Sequence, residues 1–460
     1  MKKDRSHLFI KRIGELVGAS EASELMDALS HFSPKSVRYN RTRFKNQNDN
    51  IALPGESVPW CEPYGIYWES GILPSRTLEY AAGMYYIQEA SAMLAISAAS
   101  QVIDFKGKKV LDLAAAPGGK ATQAAELIED GYLVANEVTR SRLDSLVWNI
   151  NRHRLNNVIV TSLQTGFLAK HLPGFFDIVV VDAPCSGEGL FQKRKHSLDE
   201  WSEKNVRFCA LRQETILEDA VRLLRPGGYI VYSTCTFARE ENEEQVELLF
   251  KKGMIPIPLP PLLKVSPAIS TDENVLACSR RIFPHREKGA GAFVSILQKP
   301  SLSLSGQDSS SGSSNSESEL KYVYPKTTRI GFPLPFPVRD EPGGFFFEKN
   351  GIISYFSYER IPAVIVNEAF QVGAPLIDKR RGNSIMYGCV QLVRDEAVID
   401  IPQEIAERYI HGENLDSSLI HSVDGIYFIG SKGLILGAVN ISGTQAVNHF
   451  PRPLAINTGR

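Results

Sequence analysis

Two cysteines, each at the end of an apolar run with strand character, are the residues of this sequence with the clearest chemical potential. Cys185 follows the run FDIVVVDAP, and Cys235 follows YIVYST further along the chain. Ligands of an open α/β sheet bind beyond the carboxyl ends of its strands, so both thiols are expected at one reactive edge, with Asp182 beside them. A lone cysteine after a strand is usually a small buried apolar residue. The pair, with a carboxylate nearby, indicates a catalytic site instead.

The composition is that of an ordinary globular protein. The chain has 460 residues, of which 43% are hydrophobic and 22% charged, enough for two or three domains with proper cores. Its six cysteines form no CxxC pair, so neither a disulfide framework nor a metal site is expected, and a reducing cytosol is the natural setting. Lys11 and Arg12 interrupt the apolar residues near the N-terminus, and no apolar run approaches membrane-spanning length. We therefore expect a cytoplasmic protein without a membrane partner.

A glycine turn between two strand-like runs indicates a cofactor site. Residues 108–138 read as strand (VLDLAA), turn (APGGK), helix (ATQAAELI) and strand (YLVANEV), and Glu137 closes the second strand. A glycine turn lets the backbone approach a ligand at a helix N-terminus, and a carboxylate at the next strand end binds ribose hydroxyls in such folds. The sequence is neither GxGxxG nor GxxxxGK[ST], which argues against a dinucleotide dehydrogenase or a P-loop NTPase. An adenosine-containing cofactor is predicted.

The spacing of apolar residues and the low-complexity stretches of the sequence predict how the chain is divided into regions. Residues 1–30 have the apolar spacing of two short helices, and α/β alternation up to residue 299 predicts a mostly parallel sheet with helices on both faces. The Ser-rich stretch 301–320 reads as a flexible linker, and the short strand-like runs after it as a β-rich unit. The predicted division is an N-terminal region (1–75), a catalytic domain (76–300), the linker (301–320) and a C-terminal extension (321–460).

Four motifs together carry a family resemblance. LDLAAAPGGKATQAA, DAPCSGEG, LLRPGGYIVYSTCT followed by EENE, and RIFPHREKGAGAFVSIL resemble the Nol1/Nop2/Sun family of RNA cytosine-C5 methyltransferases. The C-terminal stretches 367–382 and 433–457 resemble the bacterial RsmF-like branch, which methylates 16S ribosomal RNA and ends in a PUA-like module. The resemblance implies a Rossmann-like α/β methyltransferase domain, a small N-terminal α+β region and a C-terminal β-rich PUA-like RNA-binding region. It also implies a monomeric enzyme whose partner is 16S rRNA or the small ribosomal subunit.

The resemblance assigns roles to four residues. The C5 atom of cytosine is a poor nucleophile, and a thiolate that adds to C6 activates it by covalent catalysis. Cys235 is implied as this thiolate, and Cys185 as the group that assists proton removal and release. Asp182 would hydrogen-bond N3 and the exocyclic amine, and Lys120 would lie near the methyl donor and the base. Nearby cations and backbone N–H groups are expected to lower a thiol pKa. The base must leave its stack, which favours single-stranded or opened RNA.

The implied cofactor is S-adenosylmethionine. The third strand of the family usually ends in an aspartate that reaches the adenine, and this chain has Gln164 there, whose side-chain oxygen can still accept that hydrogen bond. The cofactor-binding residues implied by the resemblance are Ala114, Ala115, Ala116, Pro117, Gly118, Gly119, Lys120, Glu137, Arg142, Gln164 and Asp182.

RNA binding needs locally concentrated basic residues, because the net charge of the chain is only −1. Charge reversal in such clusters is expected to weaken RNA binding and to leave cofactor binding unchanged. A solvated edge strand is the alternative interpretation of the cluster at residues 38–45, and a solvated loop is that of the cluster at residues 193–195. The candidates are Arg38, Arg41, Arg43 and Lys45 around Tyr39 and Phe44; the loop of Lys193, Arg194 and Lys195; the stretch Arg280–Arg286; and Lys379, Arg380 and Arg381.

Three other functions compete with this interpretation. An adenine amino-group methyltransferase usually has an (N/D)PP(Y/F) turn where this chain has DAPCSG, and it does not need Cys235. A non-catalytic RNA-binding or assembly factor with the same fold would be favoured by loss of either cysteine, and both are present. A transfer RNA target is disfavoured only by the C-terminal resemblance.

Overall fold

The structure is a computed structural model and describes most of the chain. The described residues are 2–43, 55–193, 197–261, 264–301, 320–323, 344–358, 360–382, 384–421 and 423–451. Several predicted features lie outside them: Phe44, Lys45, Arg194, Lys195, the side chain of Lys193, nearly all of the Ser-rich linker and the last residues of the C-terminal stretch.

The N-terminal region contains the two predicted helices and a small antiparallel sheet. The strand order of this sheet is β2-β1-β3. Phe9 and Leu25 of the helices pack against Trp201 and Phe237, two residues from the loops that follow the catalytic-domain strands. The helices therefore cover the reactive edge of the next domain. The elements are α1 (Lys2–Val17), α2 (Ala19–Ser30), β1 (Ser36–Tyr39), β2 (Gly65–Tyr67), α3 (Leu78–Ala81) and β3 (Tyr85–Ile87).

The catalytic domain alternates strands and helices up to residue 298. Its strands consist mainly of buried β-branched and leucine residues, and each predicted element of this region has a counterpart in the structure. The elements are α4 (Leu94–Val102), β4 (Lys109–Asp112), α5 (Gly119–Ala125), β5 (Tyr132–Asn136), α6 (Leu143–Arg152), β6 (Val158–Thr161), α7 (Thr165–His171), β7 (Phe176–Asp182), α8 (Ser197–Glu200), α9 (Glu203–Leu223), β8 (Leu224–Thr234), α10 (Glu243–Lys251), β9 (Ile255–Pro256), β10 (Ser266–Pro267), α11 (Glu273–Cys278), β11 (Ser279–Ile282) and β12 (Ala292–Gln298).

The central sheet has the order β10-β11-β12-β8-β7-β4-β5-β6-β17, with β9 beside β12, among the residues that the structure describes. Strands β8, β7, β4, β5 and β6 are parallel to one another. The pairs β12–β8, β11–β12, β10–β11 and β17–β6 are antiparallel. The Rossmann-like α/β fold is confirmed, but the mostly parallel sheet holds only for the five inner strands. The chain leaves β4 toward β5 and β6 and returns to β7 on its other side, which creates the switch point where such sheets bind ligands.

The C-terminal part is rich in β-structure, as predicted. It forms one sheet of order β14-β15-β18-β19 and another of order β20-β22-β23-β24-β21. Its elements are β13 (Tyr322–Val323), β14 (Phe345–Lys349), β15 (Ile352–Phe356), β16 (Ile361–Pro362), α12 (Ala363–Glu368), β17 (Ala369–Val372), β18 (Ala374–Asp378), β19 (Ser384–Ile385), β20 (Val398–Asp400), α13 (Gln403–Ile410), β21 (Leu415–Asp416), β22 (Gly425–Ser431), β23 (Leu434–Ser442) and β24 (Gln445–Asn448).

The C-terminal part is packed against the rest of the chain. Strand β17 pairs with β6 and so extends the central sheet. Tyr409 and Leu436 share a buried cluster with Val37 and Tyr85 of the N-terminal sheet. The predicted domain boundaries remain a prediction, but the parts that they separate share hydrophobic cores. None of the helices in the described ranges is long and apolar enough to cross a membrane.

Two of the predicted RNA-contacting arginines are instead buried in ion pairs. Arg38 is 1% exposed, and its Nη1 lies 2.5 Å from Oε2 of Glu126, whose Oε1 is 3.1 Å from Nδ1 of His153. Burial acts to raise the pKa of Glu126, but Arg38 and His153 outweigh it and hold that pKa below its ordinary value. Arg281 is fully buried against Glu243. The prediction that Arg38 and Arg281 contact RNA is therefore wrong, because neither guanidinium can reach a phosphate.

We expect Arg38→Ala to destabilise the protein by about 3 to 5 kcal/mol, because it leaves the Glu126 carboxylate buried without its main partner. Urea unfolding monitored by circular dichroism measures the change. The matched control is Arg41→Ala, which removes a partly exposed arginine from the same segment and should have a much smaller effect. Equal unfolding midpoints for Arg38→Ala and the wild type would contradict the structural role.

Candidate active site

The two predicted catalytic cysteines lie side by side. Cys185 stands three residues after β7, and Cys235 directly follows β8, the parallel neighbour of β7. The Sγ atoms are 3.2 Å apart, and the backbone N–H of Cys235 points at Sγ of Cys185 over an N–S distance of 3.4 Å. Both residues are partly accessible, whereas the other four cysteines are buried. The strand pairing thus creates a two-thiol site at the edge where the sequence predicted it.

The protonation of Cys185 differs from the prediction. The hydrogen bond with the Cys235 thiol and burial together raise the pKa of Cys185 well above that of a free cysteine, and the charge of Glu241 adds to this. The prediction that nearby cations lower a thiol pKa is wrong for Cys185, because the Cys235 thiol and burial dominate its surroundings. A thiol with a raised pKa is a stronger proton acceptor once it is ionised.

Lys120 and Asp182 form an ion pair across the switch point. Nζ of Lys120 lies 2.9 Å from Oδ2 of Asp182, and Oγ of Ser233 donates to Oδ1 of the same carboxylate at 3.1 Å. Burial acts to lower the pKa of Lys120, but the charge of Asp182 outweighs it and raises that pKa, so the amine stays protonated. Beneath them, burial and the charge of Asp182 raise the pKa of Asp112 to about 7.

A buried carboxylate holds the loop that carries Cys185. Oε2 of Glu241 accepts hydrogen bonds from the backbone N–H of Ser186 at 2.9 Å and from the side-chain amide of Gln213 at 2.9 Å. Gln213 also donates to the carbonyl of Pro184, the residue before Cys185, at 3.0 Å. Glu241 is fully buried, and desolvation raises its pKa to about 7. Both neighbours of Cys185 are therefore fixed by side chains from outside their own loop.

A second buried carboxylate holds the loop that carries Cys235. Glu188 accepts hydrogen bonds from the Thr236 hydroxyl, the Phe237 backbone N–H and the Trp201 indole, at 2.9, 2.9 and 2.8 Å. The next residue, Gly189, donates its N–H to the carbonyl of Cys235 at 2.9 Å. A Cβ at Gly189 would lie 2.6 Å from Cα of Gly291, so only glycine allows this approach. Each cysteine loop is thus tied to the other strand's loop.

A cavity of about 290 Å³ adjoins Cys235. Its walls are the strand ends, the glycine turn before α5 and the segment 86–92 from the N-terminal side. Gly118 takes a positive φ of 114° at the N-cap of α5, which explains the glycine at that position. The predicted site residues that line the cavity are Ala114, Ala115, Ala116, Pro117, Gly119, Lys120, Asp182 and Cys235.

Four predicted cofactor residues do not line this cavity: Gly118, Glu137, Arg142 and Gln164. Glu137 follows β5 and is almost fully buried, with its Oε1 accepting the Thr139 N–H at 2.8 Å. Its Oε2 is 3.1 Å from Nη1 of Arg142 but has no partner in hydrogen-bond geometry among the described residues. Arg142 also donates to the carbonyl of Ala116. Gln164 is exposed at the N-cap of α7, and its contact with adenine stays a prediction.

The arrangement fits an adenosine-containing cofactor at the switch point. A buried carboxylate oxygen of Glu137 without a hydrogen-bond donor is suited to bind a ribose hydroxyl. The glycine turn exposes backbone beside the cavity, and Arg142 links this turn to Glu137. The residues present therefore match the group that the sequence predicted.

Four side chains of this site were not predicted as site residues. Glu241, Gln213 and Glu188 support the two loops, and Asp112 lies at the base of the cavity. The sequence carried one signal for them. The EENE stretch was used only as part of the family resemblance, yet Glu241 and Glu243 within it are fully buried, whereas carboxylates in the first turn of a helix are usually solvated.

Comparison with known proteins agrees with this geometry. Residues 103–298 match the family model for the 16S rRNA methyltransferase RsmB/F, and residues 6–90 match the model for the N-terminal domain of 16S rRNA methyltransferase RsmF. A solved structure, a methyltransferase homolog protein from Pyrococcus horikoshii, superposes with a TM-score of 0.56 at 28% identity. That superposition covers 64% of this chain and 94% of the other.

Two curated relatives show the extent of the likeness. The ribosomal RNA small subunit methyltransferase F of Aeromonas salmonicida is 36% identical over 58% of this chain, and that of Shewanella piezotolerans is 28% identical over 91%. The matched part spans 57% of the Aeromonas protein and 90% of the Shewanella protein, and just over half of two further relatives. Residues 103–298 therefore form an RsmB/F-type methyltransferase domain, and residues 6–90 an N-terminal domain of the RsmF type.

Proposed function

We propose that this protein methylates the C5 atom of a cytosine in 16S ribosomal RNA by covalent catalysis. The observation that carries the proposal is the 3.2 Å contact between the thiols of Cys185 and Cys235 beside the Lys120–Asp182 ion pair. An amino-group methyltransferase would not need the second thiol. The 16S target rests on the names of the relatives and on the C-terminal β-rich part. A cytosolic, monomeric enzyme is part of the same proposal, in keeping with six free thiols.

Cys235 attacks C6 of the cytosine as a thiolate. Addition places negative charge on the ring, and N3 takes up a proton that balances the one lost by the Cys235 thiol. The Asp182 carboxylate, fixed by Lys120 and Ser233, is suited to accept hydrogen bonds from the protonated N3 and from the exocyclic amine. The protonated Lys120 keeps this carboxylate in place and adds positive charge near the ring.

When bound, S-adenosylmethionine would supply the methyl group that C5 accepts, and S-adenosylhomocysteine would be the leaving group. The residues that would hold it are the turn Ala114–Lys120, Glu137 and Arg142, together with Asp182 and Gln164. Cys185 then takes the C5 proton, and the electron pair of that C–H bond restores the ring double bond as the Cys235 sulfur leaves C6. The Sγ atom of Cys185 lies 3.2 Å from that of Cys235, so Cys185 is close to the C6 adduct whose C5 proton it takes.

The roles of the thiols are tested by incubating Cys185→Ala and Cys235→Ala with S-adenosylmethionine and 16S rRNA. Cys185→Ala should accumulate a protein–RNA adduct that survives a denaturing gel, because attack proceeds and release does not. Cys235→Ala should give neither adduct nor 5-methylcytosine. Methylation by Cys235→Ala would show that the nucleophile is misassigned. A wild-type protein that modifies no RNA would favour the non-catalytic binding factor.

Glu137→Ala should weaken S-adenosylmethionine binding by about tenfold or more, because the Glu137 carboxylate provides charge-assisted hydrogen bonds. Isothermal titration calorimetry with the cofactor measures this loss. Gln164→Ala is the companion variant, since it tests the exposed position that replaces the family aspartate. RNA affinity should be unchanged in both variants. An unaltered cofactor affinity of Glu137→Ala would remove Glu137 from the site.

Glu241→Gln should change how stability depends on pH. The folded-state pKa of Glu241, about 7, lies above the ordinary 4.5, so its ionisation costs stability as the pH rises from about 4.5 through 7. The glutamine variant lacks this cost and should gain up to about 3 kcal/mol on the wild type between these limits. Urea unfolding at pH 4.5 and pH 8 measures the difference. Asp144→Asn, which removes an exposed carboxylate, should run parallel to the wild type. The same parallel behaviour of Glu241→Gln would contradict the raised pKa.

A further inference from the structure

Helix α9 presents an unusual outer face beside the active site. Phe208 and Leu211 are 64% and 66% exposed, although large apolar side chains on a helix normally face the core. The opposite face contains Val206, Cys209, Gln213 and Leu217, all of which are buried. The exposed apolar residues are therefore not a consequence of a poorly packed helix.

Cations surround these two apolar side chains. At helical spacing, Phe208 lies at the centre of the exposed face, with Lys204 and Leu211 next to it and Arg207 and Arg212 on its two sides. Lys204, Arg207 and Arg212 are exposed and form no ion pair with any residue in the described ranges. The nearest helix acids lie at the border of the face, where Glu203 is near Arg12 and Glu214 is partly buried.

The location connects this face to catalysis. Gln213, on the inner face of α9, donates to the carbonyl of Pro184 next to Cys185 and to Glu241. The outer face is therefore about 10 Å, one helix diameter, from the loop of the proposed base. Helix α9 begins after the loop that follows β7, so its first turns lie at the end of the sheet that carries both thiols.

We infer that the outer face of α9, formed by Lys204, Arg207, Phe208, Leu211 and Arg212, binds single-stranded RNA next to the target cytosine. The arginines and the lysine contact phosphates, and the Phe208 ring stacks on a base with Leu211 beneath it. Unpaired cations around an exposed aromatic ring are complementary to a polyanion with flat apolar bases, which a folded protein surface does not match as well. The inference rests on the proposed function, because it takes RNA to be the substrate.

Fluorescence anisotropy of the full chain with a labelled single-stranded cytosine-containing oligoribonucleotide tests the inference. The double variant Arg207→Gln/Arg212→Gln should bind more weakly, and its slope of log affinity against log salt should fall by about 1.4, since each phosphate contact on a single strand contributes about 0.7. Phe208→Ser should lose about fivefold or more in affinity with an unchanged salt slope, because stacking carries no charge.

The matched control is Lys170→Gln/Lys251→Gln. It also removes two exposed cations, but these lie in the last turns of α7 and α10, away from the strand ends that carry the thiols. Its affinity and salt slope should equal those of the wild type. S-adenosylmethionine affinity and the unfolding midpoint should be the same in all variants, since every replaced side chain is exposed.

Wild-type affinity and salt slope in both α9 variants would overturn the inference. The inference would be overturned even if these variants modified small-subunit particles poorly. Normal binding of the oligoribonucleotide with poor modification of the particles would assign the face to a protein partner. An equal loss in the Lys170/Lys251 control would overturn it as well, because the effect would then be one of overall charge. The assay measures RNA binding and not methylation, so its result can be interpreted even if the protein does not methylate RNA.

Discussion

The parallel pairing of β7 with β8 is the constraint on which the site depends. Asp182 and Ser233 are register partners at the ends of these strands, and the hydrogen bond between their side chains continues the pairing beyond the backbone. Because the strands end level, the loops that follow start a few ångströms apart, and the two thiols come into contact. A shift of one strand by a single residue would separate Cys185 from Cys235 and would turn Asp182 away from Lys120.

Strand pairing alone does not fix the loops, and two buried carboxylates hold them in place by hydrogen bonds. Glu241 fixes the Cys185 loop from the segment after β8, and Glu188 fixes the Cys235 loop from the segment after β7. Each loop therefore receives hydrogen bonds from the segment that follows the other strand, so neither loop can move without breaking hydrogen bonds of the other. Burying two carboxylates this close together is costly unless their oxygens accept hydrogen bonds from fixed donors. We interpret the raised pKa of Glu241 as the remaining cost of that arrangement.

The sequence predicted the fold well where local signals and sheet topology agree. Apolar runs located the strands of the parallel core, and the rule that ligands bind at strand ends grouped Cys185, Cys235 and Asp182 from the sequence alone. The sequence did not reveal that β11, β12 and β17 pair antiparallel with their neighbours, because strand direction depends on contacts distant along the chain. It also misassigned Arg38 and Arg281. Arginine beside aromatic residues is typical of both RNA surfaces and buried ion pairs, and only the position of Glu126 and Glu243 distinguishes them.

Those two misassignments change where RNA recognition must be sought. With Arg38 and Arg281 engaged inside the protein, the near-neutral chain has fewer free cations, and their placement matters more than their number. Helix α9 contributes both to the Cys185 loop and to the proposed RNA contact, which the sequence patterns did not connect. Its inner face supplies Gln213 to the Cys185 loop, while its outer face carries three cations around Phe208. Since one rigid helix contacts both, RNA held on its outer face is positioned relative to the catalytic thiols by the same backbone that positions one of them. Helix α9 then sets both the position of the RNA and the geometry of the Cys185 loop. This reduces the conformational freedom that is lost when the cytosine reaches Cys235.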